Sequence, residues 1–171
     1  SYTNYEEGIY VGYRYFDSFG KKVSYPFGYG LSYTTFEYTD SAVKVENGGY
    51  IVTVNVKNTG KVAGKEIVQL YVSAPGATKA DKPEKELKAF AKTKELKPGE
   101  SVVVTLSVKT GDLASYDEPS SSWVVTEGTY KFLIGASSRD IRAVLNTNVA
   151  ANAEDTNDIL KLQESLNILK R

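Results

Sequence analysis

Carboxylates, tyrosines, lysines and arginines are the only ionisable side chains of this 171-residue protein, because histidine and cysteine are both absent. That excludes Ser-His-Asp and Cys-His catalysis, zinc sites built from Cys and His, and any disulfide. General acid–base chemistry would fall to carboxylates, Lys or Tyr. Paired carboxylates work only where two of them face each other across a pocket. Glu6 and Glu7 are adjacent, so in an extended segment they point to opposite faces. Asp112, Asp117 and Glu118 fall in a loop around Leu113-Ala-Ser-Tyr116. Asp140 stands beside Arg139 in a short polar stretch, which reads as a turn with a local ion pair, worth little at a surface. None of these groups makes a convincing pair, and no catalytic residue is assigned.

The densest unusual chemistry is aromatic. Tyr25-Pro-Phe-Gly-Tyr-Gly-Leu-Ser-Tyr-Thr-Thr-Phe36 holds five aromatics, one proline and two glycines. Gly28 and Gly30 can take backbone conformations closed to other residues. Pro26 fixes its own φ and pushes Tyr25 toward an extended form. Aromatics at this density need something to bury them, so the stretch reads as an ordered turn entering a strand, clamped between two structural units. Residues 1–35 as a whole carry eight Tyr and three Phe with little periodic pattern. They read as an irregular wrap. Tyr13, Arg14, Tyr15, Pro26, Phe27, Gly28, Gly30, Tyr33 and Phe36 are its candidate structural and interface residues.

Downstream the pattern becomes regular. In Tyr50-Ile-Val-Thr-Val-Asn-Val56, Val52, Val54 and Val56 face one way and Ile51, Thr53 and Asn55 the other. Glu66–Val72 is a more continuously apolar, central strand. Phe36–Val45, Ser101–Val108, Ser122–Val125, Gly128–Gly135 and Ile141–Val149 complete the set. Asn47-Gly-Gly49, Asn58-Thr-Gly60, Lys97-Pro-Gly99 and Glu127-Gly128 supply turn residues between them. Short strands at this spacing predict an all-β fold, an antiparallel sandwich. Ala151–Asn157 reads as a polar linker, after which Ile159, Leu162, Leu166 and Leu169 form one apolar stripe of a short helix. A helix this short needs a surface to dock on.

Lys+Arg and Asp+Glu number 21 each, so no global basic field draws in nucleic acid or an anionic membrane. Lys85, Lys88, Lys92, Lys94 and Lys97 cluster, but Glu84, Glu86 and Glu95 interleave, which reads as a solvated face. No apolar run reaches the length of a membrane span, and no signal peptide opens the sequence. A chain that begins at Ser1 and contains no Met reads as a processed product or a piece of a longer polypeptide. The compartment is left open.

Several stretches, taken in order, resemble one family. Tyr5-Glu-Glu-Gly-Ile-Tyr-Val-Gly-Tyr-Arg-Tyr-Phe-Asp17 and Pro26-Phe-Gly-Tyr-Gly-Leu-Ser-Tyr-Thr34 are similar to the family 3 glycoside hydrolases, the β-glucosidase and β-xylosidase group. Asn58-Thr-Gly60, Ala63–Val72, Lys82–Phe90, Leu96–Glu100 and Gly135–Asp140 follow in the family order, and the likeness covers roughly residues 5–149. In that family the first two motifs close the second catalytic domain and open a fibronectin type III-like domain. The resemblance implies three parts: 1–35, a Tyr/Gly-rich extension ending a catalytic α/β domain; 36–149, the fibronectin type III-like domain; and 150–171, a linker and amphipathic helix. It places the nucleophilic Asp and the acid/base Glu outside the matched residues. The complete enzyme would be a retaining exo-glycosidase acting on β-linked glucosides or xylosides, without a cofactor. This chain's partners would be the barrel and α/β domains, on the same or a separate chain. The tail departs from the commonest layout, in which the chain ends soon after the last sandwich strand.

The first functional expectation is therefore a non-catalytic part that packs against catalytic domains through the Tyr-rich segment and holds their geometry. A second is a stand-alone carbohydrate-binding module, using Trp123 and Tyr116 to stack sugar rings. Trp123 is the sole tryptophan, and Ser-Ser-Trp-Val-Val favours packing in the core or at a domain interface. The third is a homo-oligomerising module driven by the terminal helix. Ala74–Pro83 is the longest loop; in some members of the family such a loop reaches toward the active-site mouth.

Overall fold

The structure, a computed structural model, describes residues 3, 6, 8–76, 82–156 and 167–169. Its body is an antiparallel sandwich. One sheet has the order β1 (Phe36–Glu46), β2 (Gly49–Asn58), β5 (Ser101–Lys109). The facing sheet runs β4 (Glu86–Lys92), β3 (Ile67–Ser73), β8 (Gly128–Gly135), β9 (Ile141–Val149). A small third sheet, β6 (Ser115–Asp117), β7 (Ser122–Val125) and β10 (Asn152–Asp155), has β7 at its centre. The all-β class read from the alternation is the observed one.

The alternation explains the core. Val52, Val54 and Val56 of β2 are fully buried, and their neighbours on β5, Leu106 and Val104, sit opposite Val52 and Val54 in register. From the other layer Val68, Leu70, Phe132 and Ile134 close the interior. Burial of each such side chain contributes about 1.5–3 kcal/mol. β1 breaks register between Thr39 and Ala42, where Asp40 has φ 51°. A bulge on an edge strand also spoils it as a template for further pairing.

Three stretches fold differently from their sequence reading. The N-terminal wrap contains a helix, α1 (Tyr13–Ser18), that starts after Gly12 and ends on a Schellman turn. Lys21 N–H donates to Phe16 O at 2.8 Å and Gly20, at φ 60°, donates to Asp17 O at 3.3 Å. With six residues it is too short to show a periodic apolar stripe. The polar stretch read as a linker supplies β10, paired with β7 from Asn152↔Val125 to Asp155↔Ser122. All four of its side chains are exposed, so its strand character lies in backbone pairing alone. The charged stretch read as a solvated face supplies edge strand β4, where interleaved Lys and Glu suit a sheet edge.

Ile159, Leu162 and Leu166 of the expected helix lie outside the described residues, as does the middle of the 74–83 loop. Leu169 is described, and its N–H donates to Glu6 O at 2.7 Å, so residues 167–169 return to the N-terminal segment.

Candidate functional site

β3 is buried on both sides, which is why it reads as continuously apolar. Val68, Leu70 and Val72 enter the core, while Gln69 and Tyr71 point the opposite way and are still 5% and 0% exposed. The Tyr-rich segment covers them. Tyr13 of α1 stacks on Phe27 with centroids 4.5 Å apart and meets Tyr71 edge-on at 6.0 Å. The Tyr13 hydroxyl accepts the Leu87 N–H at 2.7 Å, fastening α1 to β4.

Gln69 is the polar centre of this contact. Its Oε1 accepts the Tyr71 hydroxyl at 2.6 Å, and its Nε2 donates to Gly28 O at 3.0 Å and to Ala136 O at 2.7 Å. Ser138 N–H donates to Phe27 O at 2.8 Å. Gly28 has φ +77°, and a Cβ there would lie 2.0 Å from Gln69 Oε1. Both conformation and space therefore require glycine at 28. Gly30 adopts no such φ and has open space around it. Burial, followed by the charges of Tyr13 and Asp17, pushes the Tyr71 phenol well above its ordinary value near 10.

Charges fix the other end of α1. Asp17, 5% exposed at its side chain, takes Lys85 Nζ at 3.2 Å and Arg139 Nε at 2.8 Å. Arg139 also donates to Phe16 O at 3.3 Å and Lys21 O at 2.7 Å. The Ser18 hydroxyl accepts Glu84 N–H at 2.8 Å. Arg14 reaches Glu86 at 3.5 Å. Two expectations are corrected here. Arg139 pairs with Asp17, while Asp140 pairs with Arg142 at 2.9 Å. Lys85, only 8% exposed, is an anchor beneath the segment, not part of a solvated face. In both cases the partner lies far away in sequence.

The segment's exit is tied by Asn58, which is fully buried. Its Oδ1 accepts the Thr34 hydroxyl at 2.6 Å and Gly60 N–H at 3.0 Å, and its Nδ2 donates to Val62 O and Leu96 O, both at 2.8 Å. A Cβ on Gly60 would meet Thr34 Oγ1 at 2.1 Å. Phe36 then enters the core as the first residue of β1.

The opposite side of the segment is open. Tyr25 and Tyr29 lean together at 5.2 Å, and Leu31 and Tyr33 are 91% and 101% exposed. Pro26 and Tyr29 close the turn, with Tyr29 N–H on Pro26 O at 3.1 Å, while Tyr15 packs on Phe19 at 4.8 Å. Between this rim and the sandwich lies a cleft of about 600 Å³ that includes Tyr29, Leu31, Glu66, Arg139 and Arg142. Arg142 donates to Phe36 O at 2.9 Å and sits 4.6 Å over the Tyr38 ring. Burial raises the Tyr38 phenol and, despite the nearby Arg142 charge, the Glu66 carboxyl.

The structure thus gathers Tyr13, Phe27 and Gly28 into one contact over the buried Gln69 and Tyr71, leaves Gly30 and Tyr33 on the open side, and puts Phe36 in the core. Gln69, Asp17, Lys85 and Arg139 complete the contact; a lone glutamine inside an apolar strand was the one sequence signal for them. Asp112 and Asp117, considered for catalysis, hold local turns instead. Asp112 accepts Lys109 N–H at 2.9 Å, and Asp117 accepts Ser120 N–H at 3.1 Å. Among the described residues no group of three or more Asp, Glu, His or Cys is placed to hold a metal. Trp123 is not core: it is 48% exposed on β7 and meets Tyr116, 43% exposed on β6, at 5.5 Å.

Known proteins show the same architecture. Residues 66–138 match the family model of the fibronectin type III-like domain. The thermostable β-glucosidase B of Acetivibrio thermocellus is 47% identical over 155 residues, which is 88% of this chain and 20% of that protein. The exo-α-(1→6)-L-arabinopyranosidase of Bifidobacterium breve is 47% identical over 142 residues, 82% of this chain and 18% of that protein. The solved β-glucosidase 3B of Thermotoga neapolitana, in complex with glucose, superposes with a TM-score of 0.84 at 48% identity, covering 89% of this chain and 21% of that one. The chain spans about a fifth of the length of the curated relatives it matches. It carries a fibronectin type III-like domain and belongs with the corresponding part of the family 3 glycoside hydrolases of the β-glucosidase group.

Proposed function

We propose that this chain is the non-catalytic, stabilising portion of a family 3 glycoside hydrolase, and that its Tyr-rich segment bridges the sandwich to the catalytic domains. Residues 1–35 would be the end of the preceding α/β domain, 36–149 the fibronectin type III-like domain, and the terminal stretch a connection or docking element. The complete enzyme would hydrolyse terminal β-D-glucosides, or xylosides, by a retaining two-carboxylate mechanism. One observation carries the reading. The segment is locked to β3 and β4 on one side, while Tyr25, Tyr29, Leu31 and Tyr33 on the other side are open to solvent. A contiguous exposed apolar rim of this kind marks an interaction surface. The relatives, about five times longer, supply a partner of the right kind.

The test is complementation. The chain is co-expressed with the Acetivibrio thermocellus enzyme from which the matching fifth has been deleted, and hydrolysis of an aryl β-glucoside is followed. Recovery of activity with co-elution is expected. Leu31→Asp with Tyr33→Asp should abolish recovery while leaving the chain's own unfolding midpoint unchanged. Neither recovery nor co-elution from a folded pair would overturn the reading.

A further inference from the structure

The small sheet presents a second surface that the docking reading does not use. Tyr116, Trp123 and Glu154 are direct cross-strand partners, Tyr116↔Trp123 and Trp123↔Glu154. Partners in register share a face, so the three side chains form one row across β6, β7 and β10, about 10 Å long at two strand spacings. Val125, two residues beyond Trp123 on the same face of β7, is buried and bounds the row at that end, and Ser122 on the other face is buried as well. The two rings meet at 63°, which makes an aromatic corner and not a flat hydrophobic patch. Its surroundings are hydroxylic and acidic. Glu154, in the row, is exposed, and Asp117, which follows Tyr116 on β6 and so projects from the other face, accepts Ser120 N–H at 3.1 Å.

We propose that this row is a binding site for a neutral gluco-oligosaccharide. The choice of a β-linked glucan rests on the reading that the complete enzyme handles β-glucosides. A pyranose with equatorial hydroxyls presents C–H faces that stack on an aromatic ring, and its rim of hydroxyls donates to carboxylates. Trp123 and Tyr116 provide the rings and Glu154 the acceptor. An apolar protein partner would find too little aliphatic surface here, and an anionic sugar would meet like charge. The site lies on a different sheet from the one the Tyr-rich segment packs on.

The experiment exploits Trp123 being the only tryptophan of the chain, so that indole fluorescence reports this site alone. The chain is titrated with cellotetraose and, separately, with an oligomer of glucuronic acid. A saturable change with cellotetraose is expected at a Kd on the order of 1 mM, with none for the glucuronate. Tyr116→Ala should weaken binding about threefold to tenfold, as expected for loss of one aromatic contact. Glu154→Gln, which keeps shape and strand pairing, should weaken it as well. Absence of saturation with cellotetraose, or saturation indifferent to both substitutions, overturns the proposal. Such a result leaves complementation by the Tyr-rich segment untouched, and failed complementation leaves sugar binding measurable, so the two readings fail separately.

Discussion

Tyr13 and Tyr33 belong to one tyrosine-rich segment, yet Tyr13 is wedged between Phe27 and Tyr71 with its hydroxyl on the Leu87 amide, while Tyr33 is fully exposed. The inner side of the segment is not more aromatic than the outer. It differs in having polar fixtures beneath it: Gln69 under Gly28, Lys85 and Arg139 around Asp17, Glu84 N–H on Ser18. Stacking and burial are tolerant of small displacements, whereas hydrogen bonds and ion pairs at buried positions are not. The fixtures therefore set which aromatics are held, and the others are left for a different surface.

The strongest way to break this contrast is to remove the charge that the inner side needs. Asp17→Asn leaves Lys85 buried with only Glu84, at 3.9 Å, to compensate it. A cost of about 3 kcal/mol is expected, in line with breaking a buried ion pair, read as a lower urea midpoint. Trp123 fluorescence reports the small sheet and near-ultraviolet tyrosine dichroism is weighted toward the segment, so non-coincident transitions would show the segment detaching while the sandwich persists. Gly28→Ala comes next, at about 2 kcal/mol. The left-handed φ and the displacement of Gln69 from two carbonyls act together. Equal stability of the wild type and this variant would mean that the Gln69 contact does not hold the segment.

The sandwich was legible because its information is local. Val52, Val54 and Val56 declare their face by alternation, and Asn58-Thr-Gly60 declares a turn, although not that Asn58 would bridge Thr34 to Leu96. The inner contact was only half legible. The aromatics of 25–36 announced a need for burial, but Asp17, Lys85 and Arg139 are separated by most of the chain and no spacing rule relates them. Arg139 looked committed to its neighbour Asp140, and only the fold reveals that Arg142, two residues from Asp140 along β9, takes that carboxylate instead. β10 was illegible for a different reason. Its side chains are all exposed, so nothing in their polarity records the backbone pairing. Trp123 was expected in the core or at a domain interface because of its apolar neighbours, and it is not in the core. Val125, on the same face two residues on, is covered, whereas Trp123 is left half-exposed against Tyr116.

A finer test compares the same substitution on both sides. Tyr13→Phe removes only the oxygen that accepts the Leu87 N–H, leaving an amide at the β4 edge without its partner. A loss of about 1 kcal/mol is expected. Tyr33→Phe removes an oxygen already in water and should change the unfolding free energy by less than about 0.5 kcal/mol. Equal losses at the two positions would mean that the rim is held by contacts within this chain, and the contrast between the sides would dissolve.

The smallest expected effect lies at the junction of the two sides, where Glu66 faces the cleft that the rim overhangs. Burial raises its carboxyl above the ordinary value near 4.5, and the attraction of Arg142 only partly offsets that. A carboxyl whose folded pKa is raised binds its proton more tightly in the native state than in the unfolded chain. Its favourable contribution is complete below the unfolded pKa and is lost as pH rises through the folded one. At neutral pH the charged form is therefore a net cost to the isolated chain. Glu66→Gln should raise the thermal midpoint at pH 7, and the gap should close below about pH 4. A variant less stable than wild type at pH 7 would mean that the Arg142 pairing outweighs burial. The charge would then belong with the fixtures of the inner side, and the boundary between the two sides would move out to Leu31 and Tyr33.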